Sequence, residues 1–158
     1  MQPIADHRYA HALRAGDRYE GLKFRISVEV NQQYLFALED YRPDYLGATG
    51  GPAVVHPVLL LHMSARTRSP SFRLAPDTGS VFAKDRVTFL RPAFVDEWLD
   101  VAWRISDVYE RNGRLYQALD TSVTDARGEP VLRRHAHSVF FTRNGEPLTT
   151  PAPPSTHA

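Results

Sequence analysis

The chain has 158 residues, 42% of them hydrophobic and 23% charged, which is an ordinary composition for one folded domain. A formal net charge of +1 creates no long-range field for nucleic acid, and the absence of cysteine excludes disulfides, thiolate metal sites and cysteine nucleophiles. The first ten residues contain no apolar run typical of a secretory signal. We therefore expect a cytoplasmic protein that binds neither nucleic acid nor a membrane.

The beginning of the chain predicts a lead-in followed by a strand. Residues 1–18 are polar with scattered apolar positions, so we expect a loosely ordered segment with one helical turn around Tyr9 to Arg14. Apolar residues then alternate within 19–30, at Leu22, Phe24, Ile26 and Val28, which predicts a first strand.

A short helix is predicted next. Val30, Tyr34, Ala37 and Leu38 share one helical face, and Asn31 stands where an N-cap belongs. Because Pro43 disfavours helix at the preceding residue, we expect this helix to end by about residue 42. An acidic loop containing Asp40 follows its end.

A second helix is predicted after the turn at residues 50–52. His56 can cap it, and Pro57 fits the first helical turn, where its missing N–H has no consequence. Apolar residues from Val58 to Met63 cover every side, which is typical of a buried helix. Its amino-terminal end should face the acidic loop.

The remainder predicts antiparallel strands at about 81–89, 99–106, 115–123 and 131–142, with a type I′ hairpin turn at Asn112-Gly113. One sheet wrapped around one apolar helix buries the apolar surface of both, so the predicted class is α+β. We expect one domain over 19–143, a proline-rich disordered tail over 144–158, and a pair of protomers that cover the edge of the sheet.

Two stretches carry a family resemblance. The loop Asp40-Tyr41-Arg42-Pro43-Asp44-Tyr45 precedes a helix that opens at His56-Pro57, and the later stretches RVTFLRP (86–92) and YERNGRLY (109–116) follow in the same order. Together they resemble the MaoC-like acyl-thioester dehydratases and (R)-specific enoyl-CoA hydratases, a family with the hot-dog fold.

The resemblance implies reversible addition of water to the double bond of a 2-enoyl thioester of coenzyme A or carrier protein, without a cofactor or metal. Asp40 matches the family's aspartate and would be the base. Tyr45 stands where the family has a histidine, and would be an acid or a positioning group aided by His56. Pro57 stands where the family has a glycine whose N–H contacts the thioester oxygen, so the Val58 N–H or the His56 side chain would substitute for that contact.

Other interpretations remain open at this stage. Asp40 could be a solvated acid at a helix end, Tyr45 a packing residue and His56 only a cap. Arg66 and Arg68, which follow the second helix, could bind substrate phosphates or belong to a solvated loop. His135 and His137 share a strand face but lack an evident third ligand, so no metal site is expected.

Three other functions also fit the pattern. The altered histidine and glycine positions allow a non-catalytic acyl-binding subunit that pairs with an active partner. A thioesterase shares the fold and often places a carboxylate near the same helix. A specialised biosynthetic lyase is a further possibility, because fold does not determine function.

Overall fold

The computed structural model describes residues 8–148. Its elements are, in chain order, a 3₁₀ helix Ala10–Ala12, strand β1 Leu22–Phe24, helices α1 Val28–Leu38, α2 Pro43–Leu46 and α3 Pro57–Met63, a 3₁₀ helix Arg66–Arg68, and strands β2 Thr78–Phe89, β3 Leu99–Arg111, β4 Arg114–Asp125 and β5 Pro130–Thr142. The four long strands confirm the predicted antiparallel arrangement.

The strands form one sheet in the order β1-β3-β4-β5-β2, and every neighbouring pair is antiparallel. Asn112 and Gly113 join β3 to β4 with φ angles of 52° and 68°, as a type I′ turn requires. Along β3 the buried residues Leu99, Val101, Trp103 and Ile105 point to one side, which we call the inner face. The alternate residues point to the opposite, outer face.

Helix α3 packs on the inner face. The indole N–H of Trp103 donates a 2.9 Å hydrogen bond to the backbone oxygen of Ser64, the C-cap of α3. Leu59 and Leu60 are buried against the sheet, whereas Val58 is 40% exposed and His62 is also exposed. The prediction of a helix buried on every side is therefore wrong for the single chain, because the sheet covers only one side of α3.

Helix α1 begins earlier than the sequence pattern suggests. The Ser27 hydroxyl accepts the Val30 N–H at 3.2 Å and is the N-cap, so Asn31 lies inside the helix. The buried residues of α1 are Asn31 and Leu35, while Val30 and Leu38 are 39% and 49% exposed. The predicted cap and apolar face are both wrong, and β1 is correspondingly short.

Residues 8–18 are well packed, contrary to the loosely ordered lead-in that we expected. Ala10 and Leu13 have no exposed surface, and the Gly16 N–H donates to the Ile105 oxygen at 2.8 Å beside β3. The expected helical turn is present as the 3₁₀ helix. The loosely ordered lead-in was also expected over residues 1–7, and the disordered tail over residues 149–158. Both ranges lie outside the described part of the chain.

Residues 144–148 continue from β5 through a turn in which the Gly145 N–H donates to the Thr142 oxygen at 2.9 Å. Leu148 then packs against a small cluster that includes Leu115 and Phe140. Between residues 8 and 148 no helix is long and apolar enough to span a lipid bilayer.

Candidate functional site

Asp40 and His56 lie side by side at the amino-terminal end of α3. The carboxylate of Asp40 follows the end of α1, and its Oδ2 is 3.6 Å from Nε2 of His56. The Asp40 side chain is 31% exposed and that of His56 is 11% exposed. This separation is longer than a hydrogen bond, so the two groups face each other without bonding directly.

The imidazole of His56 is held in one orientation. Its Nδ1 accepts the Val58 N–H at 3.2 Å, which confirms the predicted cap of α3 and leaves Nε2 as the nitrogen that bears hydrogen in the neutral ring. The rings of Tyr34 and Tyr45 flank it, with centroids 5.3 and 5.2 Å from that of His56. The Nε2–H therefore points to Asp40 from an aromatic enclosure.

Asn31 holds the segments of this site together, a role that sequence reasoning missed. Its side chain is 1% exposed and accepts the His56 backbone N–H at 3.0 Å. The same carboxamide donates to the backbone oxygens of Val54, at 3.1 Å, and Tyr45, at 3.4 Å. The sequence offered one signal for this role. Asn31 and Leu35 are four residues apart, so they lie on the same face of α1, and that face is the buried one.

Tyr45 connects the Asp40–His56 pair to an apolar groove. Together with Pro57, Leu60, Phe89 and other residues it lines a groove of about 460 Å³ between α3 and the chain that follows β2. The Arg42 guanidinium lies over the Tyr45 ring, 5.4 Å from its centroid. Tyr45 thus forms a wall shared by the pair and the groove.

The first turn of α3 has fewer free backbone N–H groups for a substrate oxygen than the resemblance implies. Pro57 has no N–H, and the Val58 N–H is already bonded to His56 Nδ1. The Val58 N–H, one of the two substitutes that we considered, would have to leave His56 before it could contact a thioester oxygen. Of the substitutes considered, only the His56 side chain keeps a free donor.

Arg66 and Arg68 lie apart from this site and differ from each other. Arg66 is 6% exposed and donates to Gln117 Oε1 at 3.2 Å and Ser80 Oγ at 2.9 Å. Burial lowers the pKa of its guanidinium, the nearby Tyr19 opposes that shift, and Arg134 adds to it. The buried guanidinium of Arg66 is thus already bonded within the protein, so its predicted contact with substrate phosphates would require these bonds to break, whereas Arg68 is exposed.

Two histidines on β5 form a separate polar cluster on the outer face. His135 Nδ1 is 2.6 Å from Asp120 Oδ1, the two Nε2 atoms of His135 and His137 are 3.1 Å apart, and His137 Nδ1 is 2.8 Å from the Tyr109 hydroxyl. Burial lowers the pKa of His137, and His135 and Lys84 lower it further. Within residues 8–148 no group of three or more candidate ligands could hold a metal ion.

No protein-family model matches the chain, and no curated protein matches it in sequence. Solved structures do match. A monoamine oxidase regulatory protein from Archaeoglobus fulgius has a TM-score of 0.69 at 18% identity, covering 89% of this chain and 99% of its own. A MaoC-like dehydratase from Rhodospirillum rubrum has a TM-score of 0.68 at 19% identity, covering 86% and 98%.

An (R)-hydratase from A. caviae involved in PHA biosynthesis matches with a TM-score of 0.62 at 18% identity, covering 82% of this chain and 98% of its own. The chain has the hot-dog fold. In this fold α3 is the central helix that the sheet wraps, and Asp40 and His56 lie at its beginning. The resemblance to MaoC-like dehydratases and (R)-hydratases is thus confirmed for the fold, and at this identity it assigns no residue a role.

Proposed function

We propose that the chain is an acyl-thioester hydratase or dehydratase, acting reversibly on 2-enoyl thioesters of coenzyme A or carrier protein. The observation that carries the proposal is the Asp40–His56 pair, 3.6 Å apart at the start of the central helix. A carboxylate facing an N–H donor is the minimum needed to hold a water molecule and move its proton.

Asp40 is the proton carrier in this proposal. In dehydration its carboxylate removes the proton from C2 of a 3-hydroxyacyl thioester, and the resulting carboxylic acid returns that proton to the hydroxyl leaving C3. The C2–H and C3–O bonds break, the C2–C3 double bond forms, and one water leaves. Hydration is the reverse, so a single carboxyl group closes the proton balance.

His56 is the positioning donor for the oxygen atom. Because its Nδ1 accepts the Val58 N–H, the neutral ring offers an Nε2–H and not a lone pair. A water oxygen beside both groups could accept from Nε2–H and donate to Asp40. This assignment moves the auxiliary role from Tyr45, our first choice on sequence, to His56.

The apolar groove beside Tyr45 and Pro57 is the proposed place for the acyl chain. Its volume of about 460 Å³ falls within the range of ordinary ligand pockets. Tyr45 lines the groove and also flanks His56, so an acyl chain in the groove would bring its thioester end toward the pair. Arg68 remains the proposed contact for the phosphates of the substrate.

A homodimer is part of the proposal. Among the described residues strand β2 pairs only with β5 and forms one edge of the sheet, with Val81, Phe82 and Phe89 between 46% and 56% exposed. Long apolar edges in soluble proteins are normally covered. A second copy of the chain would cover this edge.

The test is a mass-spectrometric assay of 2-enoyl and 3-hydroxyacyl thioesters of several chain lengths. We expect the wild type to add or remove the mass of one water, and Asp40→Asn to lower the rate by about 100-fold or more. The control is Asp44→Asn, four residues further along in α2 with a 54% exposed side chain, which should stay within about twofold of wild type. Folded wild-type protein that turns over no thioester, or equal losses in both variants, would refute the proposal.

A non-catalytic acyl-binding subunit is the second candidate. It is favoured by the first turn of α3, where neither Pro57 nor Val58 leaves a backbone N–H free for a thioester oxygen. In that case 2-enoyl thioesters bind without conversion, and Asp40→Asn binds them as tightly as the wild type. Calorimetry on the same samples separates the two candidates.

A further inference from the structure

The outer face of the sheet carries a basic depression that the proposed reaction does not use. It has a volume of about 440 Å³ and lies over β2, β3, β4 and β5. Its lining includes five arginines, of which Arg134 points to the inner face and bonds Asp85; the other four are Arg18, Arg86, Arg104 and Arg133. All four are exposed.

The strand register explains why these side chains meet. Arg104 on β3 is opposite Asp120 on β4, Asp120 is opposite His135 on β5, and His135 is opposite Arg86 on β2. Residues directly opposite across a sheet point to the same face. Arg133 lies two positions before His135, so it also points outward.

The floor of the depression is made of small residues. Ala102, Ser122, Arg133 and Thr88 form the next row across the four strands. Short side chains at Ala102 and Ser122 leave space that the arginine stems surround. Trp103, next to Arg104, instead points inward and bonds to Ser64 below α3, so the depression and the Asp40–His56 pair lie on opposite faces.

The positive charge of the depression is almost uncompensated. In the described chain none of the side chains of Arg18, Arg86, Arg104 and Arg133 forms an ion pair or a hydrogen bond, whereas Arg134, on the inner face, is bonded to Asp85 at 2.9 and 2.6 Å. Asp120 is the only acidic residue of the lining, and its Oδ1 already contacts His135 at 2.6 Å. Clustered like charges repel, and a bound anion would relieve that repulsion.

We propose that the basic depression binds a small molecule that carries two or more linked phosphate groups. A guanidinium matches phosphate oxygens with two parallel hydrogen bonds. Neighbouring strands lie roughly 5 Å apart, so β5 and β2 are that close, whereas β3 and β5 are about 10 Å apart with β4 between them. Side chains from these strands can therefore surround more than one phosphate. The volume suits a ligand of that size and not an extended protein surface.

The test is calorimetric titration with inorganic pyrophosphate, beside orthophosphate, at one fixed ionic strength. We expect one pyrophosphate site per chain, with orthophosphate binding more weakly. The double variant Arg104→Gln/Arg133→Gln should weaken pyrophosphate binding by about tenfold or more, since each lost charged hydrogen bond costs at least that much. Adenosine diphosphate in a parallel titration shows whether a nucleotide binds more tightly than its phosphates alone.

Two further variants keep the result interpretable. Arg111→Gln removes an exposed arginine of β3 that lies outside the depression, and it should change the affinity by no more than about twofold. Asp120→Asn removes the only lining carboxylate and should strengthen binding. The proposal is overturned if pyrophosphate does not bind, if Arg111→Gln weakens binding as much as the double variant, or if polyglutamate binds more tightly than pyrophosphate.

Discussion

At the scale of single residues, the carboxamide of Asn31 connects α1 to the two segments that carry the candidate site. Its three hydrogen bonds reach the backbone of His56, Val54 and Tyr45 from a side chain that is 1% exposed. No aliphatic side chain can replace both its acceptor and its donors. Loss of Asn31 would leave buried backbone groups without partners.

We expect Asn31→Ala to lower the free energy of unfolding by about 2 kcal/mol or more, because a buried unpaired polar group costs about 1–3 kcal/mol. Urea denaturation followed by circular dichroism measures the change. Gln33→Ala, at an exposed position of the same helix, should change it by less than about 0.5 kcal/mol. Equal losses in the two variants would contradict the role given to Asn31.

The two arginines after α3 should have different effects, Arg66 on stability and Arg68 on substrate binding. Arg66→Ala is expected to lower the free energy of unfolding by about 2–4 kcal/mol, because it strands the buried Gln117 and removes packing between Phe72 and Phe140. Arg68→Gln should leave stability unchanged and raise the KM for a coenzyme A thioester several-fold. A raised KM with Arg66→Ala at full stability would contradict this division.

At the scale of elements, β2 is a twelve-residue strand that, within residues 8–148, has a strand partner on one side only. Most of its residues are exposed, including the large side chains Val81, Phe82 and Phe89. The same exposure is found on one side of α3, at Val58. The exposed side chains of β2 would be covered if the homodimer forms along this edge.

We expect Val81→Lys to shift the protein from dimer to monomer, because a charge in place of an exposed apolar side chain at this edge opposes pairing with another strand. Sedimentation velocity over a range of concentrations measures the state. Lys23→Glu on β1, at the other edge of the sheet, is the control and should remain dimeric. A wild type that is monomeric at all concentrations would contradict the dimer.

The secondary structure could be predicted from the sequence for some elements and not for others. The alternation over 99–106 predicted β3 correctly, because a strand with one buried face imposes a period of two on its own residues. Val28 and Val30 continue such an alternation, yet they belong to α1. So few apolar residues fit the strand period of two and the helix period of 3.6 equally well, and the Ser27 cap determines where the helix begins. Local pattern does not choose between periods over so short a stretch.

The candidate site could be predicted only in part from the sequence. The resemblance selected Asp40, and the cap pattern of His56-Pro57 located the start of α3. Their contact depends on Asn31 and on two tyrosine rings brought from other segments, which are tertiary contacts without a local signal. Burial of Arg66 was missed for a related reason, since its neutral partners lie far away along the chain.

At the scale of the whole molecule, Asp125 ties the β4–β5 turn to the loop after β2. Its Oδ1 accepts the N–H groups of Arg127, at 2.8 Å, and Glu129, at 2.9 Å, and its Oδ2 is 2.9 Å from Arg91. Burial alone would raise the pKa of Asp125, but these N–H groups and the Arg127 guanidinium outweigh it and lower the pKa from 3.8 to about 2. The folded state therefore favours the ionised carboxylate.

A carboxyl group whose pKa is lower in the folded state than in the unfolded state stabilises the fold at pH values above its unfolded-state pKa. This stabilisation is lost as the pH falls through the folded-state pKa. We expect Asp125→Asn to lower the Tm at pH 7, with the difference from wild type shrinking between about pH 4 and pH 2. Differential scanning calorimetry across that range measures it. Asp44→Asn, which removes an exposed carboxylate, should leave the Tm at pH 7 nearly unchanged. A difference for Asp125→Asn that persists at pH 2 would contradict this account.

The strand order β1-β3-β4-β5-β2 has a consequence for how the molecule folds. Its three middle strands are consecutive along the chain and joined by short turns, so they can form early as a meander with little loss of loop entropy. The segment that contains α1, the Asp40 loop and α3 must then close over this platform through distant contacts such as Asn31 to His56. Amide hydrogens of β3, β4 and β5 should consequently exchange slowest, and those around Asp40 and His56 should open without unfolding of the sheet. The candidate site would then be the last part of the protein to assemble and the first to loosen.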